Sequence, residues 1–343
     1  MSESSLPDEQ QQSQNASLDA LITQCQEKGL ETFDGIADLE LRGRFIRMSL
    51  TPDKAGAIEG DLRKDAQKIK ADVASQGQQL SLYPTDLCRT SLFFCLSKKD
   101  SKNREYLRDI EIAKTSWGRI IYTGERLSIS DENVLVAIFA AIRSKKNISV
   151  VTIDGKPTYQ YYGPLLPILK FAGLTSGKKN YNAVLHSLKR FAGAVVEFEK
   201  PLEGGKKQRK FNNIIIDGHY DEKTLMIKIT LNPSFCELYL DSYTLMNVSR
   251  RLEIEGDAGK ALYRFVISQG NRWPDKGTAA VSGLAKVLNL DHLPPKRQTE
   301  QIKRAITALV AAKILTIDSQ IKRGRVVLIR NKNFNKPTPQ HLK

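Results

Sequence analysis

The sequence predicts an α+β protein in which one pattern of helices and strands occurs twice in tandem. Each copy has a leading helix, a short apolar helix, a polar turn, a longer amphipathic helix and a β-hairpin. Both hairpins end in a cluster of basic residues. This order of elements is that of a winged helix. We therefore expect two tandem winged-helix domains, preceded by a largely disordered or helical N-terminal region.

Net charge divides the chain into two parts. Residues 1–75 contain 14 acidic and 9 basic residues, a net charge of −5, whereas residues 76–343 carry +20. A folded region with this excess is typical of a protein that binds a polyanion, because each Lys or Arg placed on a phosphate releases condensed counterions. Simple solubility is the alternative explanation.

The composition indicates a soluble, cytoplasmic protein. The longest apolar stretch, Val134 to Ile142, is too short to span a bilayer. The N-terminus has no basic segment followed by an apolar core, so no secretory signal is expected. The four cysteines include no CxxC pair, and we expect them to be reduced.

Domain boundaries follow from composition and from the repeated pattern. Residues 1–75 are polar at first and then hold weak helical patterns, which predicts a flexible N-terminal region. A linker is expected at 76–100, with folded structure starting near residue 90. The first winged-helix domain is expected at 101–245 and the second at 246–332, before a C-terminal tail at 333–343.

The first unit opens with predicted strands at 119–123 and 126–129. Ser130-Asp131-Glu132 is expected to cap the leading helix, and a strand at 148–153 follows it. A short apolar helix at 165–171 then leads through a polar turn into the longer helix.

The longer helix of the first unit, predicted at 178–192, has Tyr181, Val184 and Leu188 on one face at helical spacing. An α-helix fits the DNA major groove, and Asn, Lys and Arg suit its base edges. We expect DNA contacts from the opposite face, although an ordinary solvated face explains it equally well. The expected contacts are Lys178, Lys179, Asn182, His186, Lys189 and Arg190.

Strand-like segments at 195–198, 214–216 and 226–229 close the first unit, and the loop between the first two is basic. Crowding like charges in a small turn costs stability unless a partner neutralises them. Phosphate or minor-groove contact would do so, and a flexible solvated loop is the alternative. This expected basic tip contains Lys206, Lys207, Arg209 and Lys210.

The second unit repeats this order after a leading helix. Its short helix is predicted at 281–288 and its long helix at 295–312, opened by Pro294-Pro295. Its hairpin strands are predicted at 314–317 and 326–329. The expected DNA contacts are Lys296, Arg297, Lys303 and Arg304 on the long helix, and Lys322, Arg323 and Arg325 at the hairpin tip.

Glu300 is the one acidic residue on the basic face of this long helix. Its carboxylate either accepts a hydrogen bond from a cytosine amine or pairs with Arg297 or Arg304. We favour the ion pair.

The sequence offers no site for enzymatic chemistry. The segment Gly173–Lys178 has three residues between its glycines, where a P-loop requires four, and we interpret it as the turn of the first helix-turn-helix. The four histidines are scattered, without metal-ligand spacing. Asp131-Glu132 is interpreted as a helix start. We expect no catalytic residue, metal or cofactor.

Several segments resemble TrfA-type plasmid replication initiators. Tyr122-Thr123-Gly124-Glu125-Arg126-Leu127, followed by Asp131-Glu132 and an apolar helix, is similar to the start of the family's first winged helix. Arg89-Thr90-Ser91-Leu92-Phe93 resembles the segment before it. Tyr181 and Leu185 fall where the family has its first recognition helix. The resemblance covers about 79–330.

The pentapeptide Gln79-Leu80-Ser81-Leu82-Tyr83 resembles the QLSLF motif by which this family binds the DNA polymerase sliding clamp. In that interpretation an extended peptide offers Leu82 and Tyr83 to an apolar pocket while Gln79 bonds at its rim. Tyr83 departs from the motif, which ends in Phe. A chance pentapeptide in a linker is the alternative.

The resemblance implies a mechanism. The protein would bind direct repeats (iterons) in a plasmid origin, help to open the adjacent AT-rich DNA and recruit DnaA, the DnaB helicase and the clamp. Homodimers would be the inactive form that limits plasmid copy number. The main alternative is a winged-helix transcriptional regulator, which needs no clamp contact. A DNA-processing enzyme is a weaker one.

Overall fold

The structure is a computed structural model, and it describes residues 80–84, 88, 92–115, 118–143, 147–202, 206–236, 243–269, 273 and 275–331. The predicted flexible N-terminal region, Gln79 and the C-terminal tail lie outside the described residues. None of the helices in the described part of the chain combines the length and apolarity needed to cross a membrane.

Runs of strands are separated by single helices or pairs of helices along the described chain. In chain order they are β1 (Leu80–Pro84), β2 (Phe93–Phe94), α1 (Lys98–Lys102), β3 (Tyr106–Thr115), β4 (Gly118–Glu125), β5 (Leu127–Ser128), α2 (Ile129–Arg143), β6 (Ile148–Ile153), β7 (Lys156–Pro164), α3 (Leu166–Phe171), α4 (Lys178–Gly193), β8 (Val195–Pro201), β9 (Lys207–Asn213), β10 (Ile215–Asp221), β11 (Met226–Leu231), β12 (Tyr243–Asn247), α5 (Val248–Glu253), α6 (Asp257–Ser268), β13 (Lys276–Ala280), α7 (Val281–Val287), α8 (Pro295–Ala311), β14 (Gln320–Lys322) and β15 (Arg325–Ile329).

The first unit is a winged helix made of α2, α3 and α4 with strands β7, β10 and β11. Strand β7 pairs with β11, and β11 pairs with β10, so the last strand in sequence lies in the middle of the three. Strand β6 extends this sheet beyond β7. The hairpin of this winged helix is therefore β10–β11.

The second unit has the same topology in a smaller form. Helices α6, α7 and α8 combine with a sheet of order β13-β15-β14, so the last strand again lies between the other two. The predicted pair of winged helices is thus confirmed by strand order, which element order along the sequence could only suggest. Strand β13 escaped the sequence analysis because Lys-Gly-Thr-Ala-Ala has little β propensity.

A further four-stranded antiparallel sheet of order β3-β4-β8-β9 belongs to the first unit. The β8–β9 hairpin follows α4 directly, and the Asn213 side-chain amide donates to the Ala192 carbonyl at the end of that helix, at 2.5 Å. This hairpin is inserted in the chain between the recognition helix and the wing strands.

Two predicted element positions are wrong. The segment 314–317 forms only an isolated bridge, Leu315 to Arg330, and Ile317 is 86% exposed; the hairpin strand is β14 instead. Helix α2 is capped two residues earlier than expected. Ser128 Oγ accepts from the Asp131 backbone N–H, and Asp131 Oδ2 accepts from the Ser128 N–H, a reciprocal capping box.

Buried charges join the two units. Glu132, in the first turn of α2, accepts at Oε2 from Arg251 of α5 and at Oε1 from Arg264 of α6, both at 2.7 Å. The side chains of all three are at most 1% exposed. Arg251 also donates to the Asn133 side chain at 3.1 Å and to the Lys260 carbonyl at 3.2 Å. We call this group the Glu132 triad.

Strand β1 closes the junction between the units. It pairs antiparallel with β12, and the Ser81 hydroxyl donates to the Val136 carbonyl at 3.2 Å. The Tyr83 ring is fully buried and meets Phe139 of α2 edge to face, with ring centroids 5.9 Å apart. The segment predicted as a linker therefore contributes a strand to the core.

Among the described residues, the buried Tyr83 hydroxyl has no hydrogen-bond partner. A buried hydroxyl without a partner loses its hydration and gains nothing in return, at a cost of about 1–3 kcal/mol. Tyr83→Phe should therefore raise the free energy of unfolding by about 1 kcal/mol or more. Denaturant unfolding followed by circular dichroism measures this change.

Tyr161→Phe is the matched control for that variant. The Tyr161 ring is equally buried, but its hydroxyl donates to the Pro164 carbonyl at 2.7 Å. We expect this variant to lose about 1 kcal/mol. Loss of stability in both variants would show that the Tyr83 hydroxyl has a partner.

The Glu132 triad also predicts acid sensitivity. Burial raises the pKa of the Glu132 carboxyl, but the Arg251 and Arg264 guanidiniums together lower it more, so the pKa lies below its ordinary value of 4.5. The unfolded chain then binds the proton more readily than the folded one, and stability falls as pH drops below 4.5. Urea unfolding from pH 7 to pH 3 measures the fall.

Glu132→Gln is the comparison. It should be less stable than the parent at pH 7, by about 3–5 kcal/mol, because two buried guanidiniums lose their counter-ion. Its stability should also decline less steeply in acid. A decline as steep as the parent's would assign the acid sensitivity to other carboxylates.

Candidate nucleic-acid interface

Helix α4 is the recognition helix of the first unit, and its apolar face is buried as predicted. Val184, Leu188 and Phe191 pack into the core. The predicted outward residues other than Arg190 are exposed, namely Lys178, Lys179, Asn182, His186 and Lys189. The helix thus presents three ammonium groups, an imidazole and an amide on one accessible face, which suits the major groove.

The expected exposure of Arg190 is wrong. Its side chain is only 16% exposed, and its guanidinium donates from Nε and Nη2 to Asp131 Oδ1 at 3.1 and 2.6 Å. Helical spacing places Arg190 beside Lys189, but the carboxylate of Asp131 on α2 lies within its reach. Arg190 holds the recognition helix in place and does not face a ligand.

Asp131 is the centre of a second buried charge cluster. Its Oδ1 also accepts from the Ser187 hydroxyl at 2.7 Å, and its Oδ2 pairs with Arg104. Burial raises the pKa of the Asp131 carboxyl, yet the Arg190 and Arg104 guanidiniums lower it more, so the pKa lies below its ordinary value. We call this group the Asp131 cluster. The sequence pattern around Asp131 and Glu132 indicates only a helix start and gives no sign of these partners.

The wing of the first unit is not basic, which corrects the sequence prediction. The β10–β11 turn is closed by Asp221, whose carboxylate accepts from the Lys223 N–H at 2.9 Å and the Thr224 hydroxyl at 2.8 Å. Lys228 pairs with Asp217 at 2.8 Å. This wing therefore has no excess of positive charge to place on phosphate.

The predicted basic tip lies on the β8–β9 hairpin, in the other sheet. Two of its four cations are neutralised within the protein, because Lys207 and Arg209 contact Glu199 at 3.1 and 3.2 Å. Arg119 of β4 contacts the same carboxylate at 2.7 Å. Lys206 is exposed, as is Lys210. The crowded charge that pointed to a phosphate partner is thus partly explained by Glu199.

Helix α8, the recognition helix of the second unit, matches its prediction. Ile302, Ala305, Ile306 and Leu309 are buried. Glu300 is exposed, and within the part of the chain that the structure describes it pairs with neither arginine, so the favoured ion pair is not formed. The predicted contact residues Lys296, Arg297, Lys303 and Arg304 are all exposed.

The wing of the second unit is a tight basic turn. Arg323 and Gly324 have φ of 49° and 73°, the backbone of a two-residue hairpin turn that follows strand twist. Lys322, Arg323 and Arg325 are exposed as predicted. Arg325 reaches the Thr278 hydroxyl on β13 at 3.5 Å, a neighbour the sequence analysis missed with that strand.

The second unit therefore offers the stronger polyanion surface. Among the described residues, none of its seven predicted contact cations has an ion-pair partner, whereas the first unit commits Arg190, Lys207 and Arg209 to internal carboxylates. A helix face and an adjacent wing, both cationic and unpaired, match the way a winged helix meets a groove and the flanking backbone.

Part of the pentapeptide predicted to bind a clamp is buried. Gln79 lies outside the described residues, Leu80 to Pro84 form β1, and the Tyr83 side chain, predicted to enter a partner's apolar pocket, fills the junction core instead. Binding through this peptide would require β1 to leave β12. Alanine at Tyr83 would remove core packing, at a cost on the order of 3–5 kcal/mol, and so would not isolate a partner contact.

The chain is similar in structure to three solved chains, and the first of them shows a shared fold. The crystal structure of selenomethionine derivatives of domains 2 and 3 of RctB superposes on this chain with a TM-score of 0.51 at 12% sequence identity. The match covers 72% of this chain and 98% of that chain. A second structure of RctB domains 2–3 gives 0.48 at 13% identity, covering 73% and 98%. The Pi initiator protein in complex with iteron DNA gives 0.42 at 12% identity, covering 60% and 91%.

Sequence comparison adds nothing to the structural match. No protein-family model matches the chain, and no curated protein matches it. At 12% identity the likeness to RctB domains 2 and 3 shows the fold alone.

The contacts of Glu199 predict which of the surrounding cations stabilise the protein. Its side chain is 4% exposed and contacts Arg119, Lys207 and Arg209. Arg119→Ala should lower the melting temperature because it leaves this carboxylate with fewer partners. Lys206→Ala should leave the melting temperature unchanged, since Lys206 is exposed and contacts no acid in the described region. Equal melting temperatures for both variants would contradict this account.

Proposed function

We propose that the chain is a non-enzymatic replication initiator that binds direct repeats in a plasmid-type origin. One observation carries the DNA-binding part: α8 and the β14–β15 wing together expose seven cations with no ion-pair partner in the described residues. Unpaired cations on adjacent helix and wing gain most from phosphate and base edges, because counterion release is then not offset by broken internal ion pairs.

The tandem arrangement supports a repeat as the target. Two winged helices on one chain can read two adjacent stretches of duplex without a second subunit. A single chain then recognises an asymmetric sequence, and direct repeats are the sites on which such chains line up in one orientation. The initiation role itself rests on the resemblance to TrfA-type proteins and on this tandem design.

Mutants of the second unit should distinguish residues that read bases from residues that contact phosphate. Arg297→Ala or Arg304→Ala should cost about 1–3 kcal/mol of discrimination between cognate and altered repeats, if the residue reads a base. Lys322→Ala or Arg323→Ala should weaken binding to all sequences alike and reduce the salt slope by about one. Fluorescence anisotropy with cognate and altered duplexes across a salt series measures both quantities.

Lys206→Ala is the matched control, because it removes a surface cation from the β8–β9 hairpin. It should change affinity less than Lys322→Ala. If the two arginine variants lose affinity uniformly, α8 does not read bases. If Lys206→Ala has the larger effect, the β8–β9 hairpin is the main phosphate contact.

A transcriptional regulator with the same fold is the second candidate. Footprinting on DNA flanking the encoding gene should give a regular ladder of protected direct repeats if the protein is an initiator. Adjacent AT-rich DNA should then become sensitive to a single-strand-specific nuclease on protein addition. Protection of a lone site with no such opening would favour the regulator.

The resemblance also implies contacts with host proteins. Recruitment of DnaA, the DnaB helicase and the sliding clamp, and an inactive homodimer that limits copy number, remain predictions. The burial of Tyr83 argues against Gln79–Tyr83 as a freely available clamp ligand. Clamp pull-down with the parent protein, before and after origin binding, tests whether any such contact exists.

A further inference from the structure

Two consecutive buried carboxylates at the start of α2 face different parts of the protein. The side chains of Asp131 and Glu132 are both fully buried. Consecutive residues on a helix point about 100° apart, so one helix turn can hold partners on two sides. The Asp131 cluster lies on one side and the Glu132 triad on the other.

The Asp131 cluster fixes the first recognition helix. Asp131 Oδ1 accepts from Ser187 and Arg190, which lie one turn apart on α4. Apolar packing of Val184 and Phe191 holds the same face of α4 in the core. Helix α4 is therefore seated on α2 by both polar and apolar contacts.

The Glu132 triad fixes the second unit to the same turn of α2. Arg264 lies on α6, the helix on which the recognition helix α8 packs, and Arg251 lies on α5 in the join. Arg251 also bonds to Asn133 of α2 and to the Lys260 carbonyl of α6. Four directional bonds from two guanidiniums thus position α6 relative to α2.

Buried ion pairs position elements differently from apolar contacts. Apolar burial is non-directional, whereas a buried carboxylate must keep its donors within hydrogen-bond distance or lose the compensation for its desolvation. In the described structure the two recognition helices are thus connected through α2, because α4 is seated on α2 and the Glu132 triad links α2 to α6, on which α8 packs. We call this link through the Glu132 triad the bracket.

We propose that this bracket sets the spacing of the DNA site, with Glu132, Arg251 and Arg264 as positioning residues for the second recognition helix. The inference rests on the proposed function. One inserted base pair moves the second block of bases by about 3.4 Å along the duplex and about 35° around it. A rigidly bracketed pair of helices cannot follow that displacement, so one unit loses its base contacts.

The test uses full-length protein and duplexes that carry one repeat with zero, one or two base pairs inserted between its two protected blocks. The readout is the ratio of affinities for native and lengthened sites, measured by anisotropy. We expect the parent to lose on the order of a hundredfold for one inserted base pair. Glu132→Gln should lose tenfold or less, because α6 is released from α2.

Asp131→Asn is the matched control, since it changes the neighbouring buried carboxylate in the same way. It weakens the attachment of α4 to α2, but the apolar contacts of α4 still hold that helix in the core. It should lower affinity for all the duplexes by a common factor and keep the parent's ratio. A ratio is also insensitive to a smaller folded fraction, which lowers every affinity equally.

A variant without buried charge keeps the inference testable if Glu132→Gln does not fold. Glu132→Met, Arg251→Met and Arg264→Met together replace the triad with apolar side chains of similar size, a change that buried ion clusters tolerate. This triple variant should also show the smaller ratio. A steep ratio in Glu132→Gln and in the triple variant would overturn the inference, as would a parent that tolerates insertions.

Failure of the proposed function looks different. A parent that binds no direct repeat more tightly than unrelated DNA would refute the proposed function, and the spacing inference with it. Sequence-specific binding with the same spacing penalty in all variants would refute only the inference.

Discussion

The structure depends on the Glu132 carboxylate, held without solvent contact between two guanidiniums from different helices. A buried carboxylate is tolerable only when charged donors replace its hydration, and both donors here lie more than 115 residues away in sequence. Helices α2, α5 and α6 must therefore dock together for any one of the three charges to be stable. Helix α2 belongs to the first winged helix and α6 to the second. The ion pairs that neutralise Glu132 therefore also hold the two domains together. Asp131, the adjacent residue, applies the same constraint to the recognition helix α4.

Strand β1 shows how the junction uses a segment that looks like a linker peptide. Its Ser-Leu-Tyr sequence has the alternation of an extended ligand, and the same alternation suits a strand on the edge of β12. Tyr83 then enters the space between α2 and the join, where its ring packs on Phe139. The apolar character that makes a peptide a good docking motif also makes it good core material. A displayed ligand and a core strand are therefore alternative uses of the same residues.

The two winged helices divide the positive charge unequally. In the first unit, Arg190, Lys207 and Arg209 form ion pairs with internal carboxylates. Its wing contains Asp221, which closes the turn, and Asp217, which pairs with Lys228. The second unit leaves α8 and its wing unpaired across the described residues. In the proposed function, this division gives the second unit more of the phosphate contact, while the first unit, with Asn182, His186 and three lysines on α4, has a less charged surface for base reading.

Features that depend on near neighbours could be predicted from the amino-acid sequence alone. Helical periodicity gave the buried faces of α2, α4 and α8, and the exposed cations of α8 and its wing followed from the same periodicity and from the turn at Arg323-Gly324. Tertiary structure decided the rest. Arg190 has the helical position of a surface residue, yet it is captured by Asp131, 59 residues away. The basic β8–β9 hairpin looked like a wing because a hairpin is local, but which sheet it joins depends on pairing with β4, far along the chain. Periodicity reports which side of an element is apolar, whereas the partner on that side is chosen by long-range packing and by the need to neutralise buried charge.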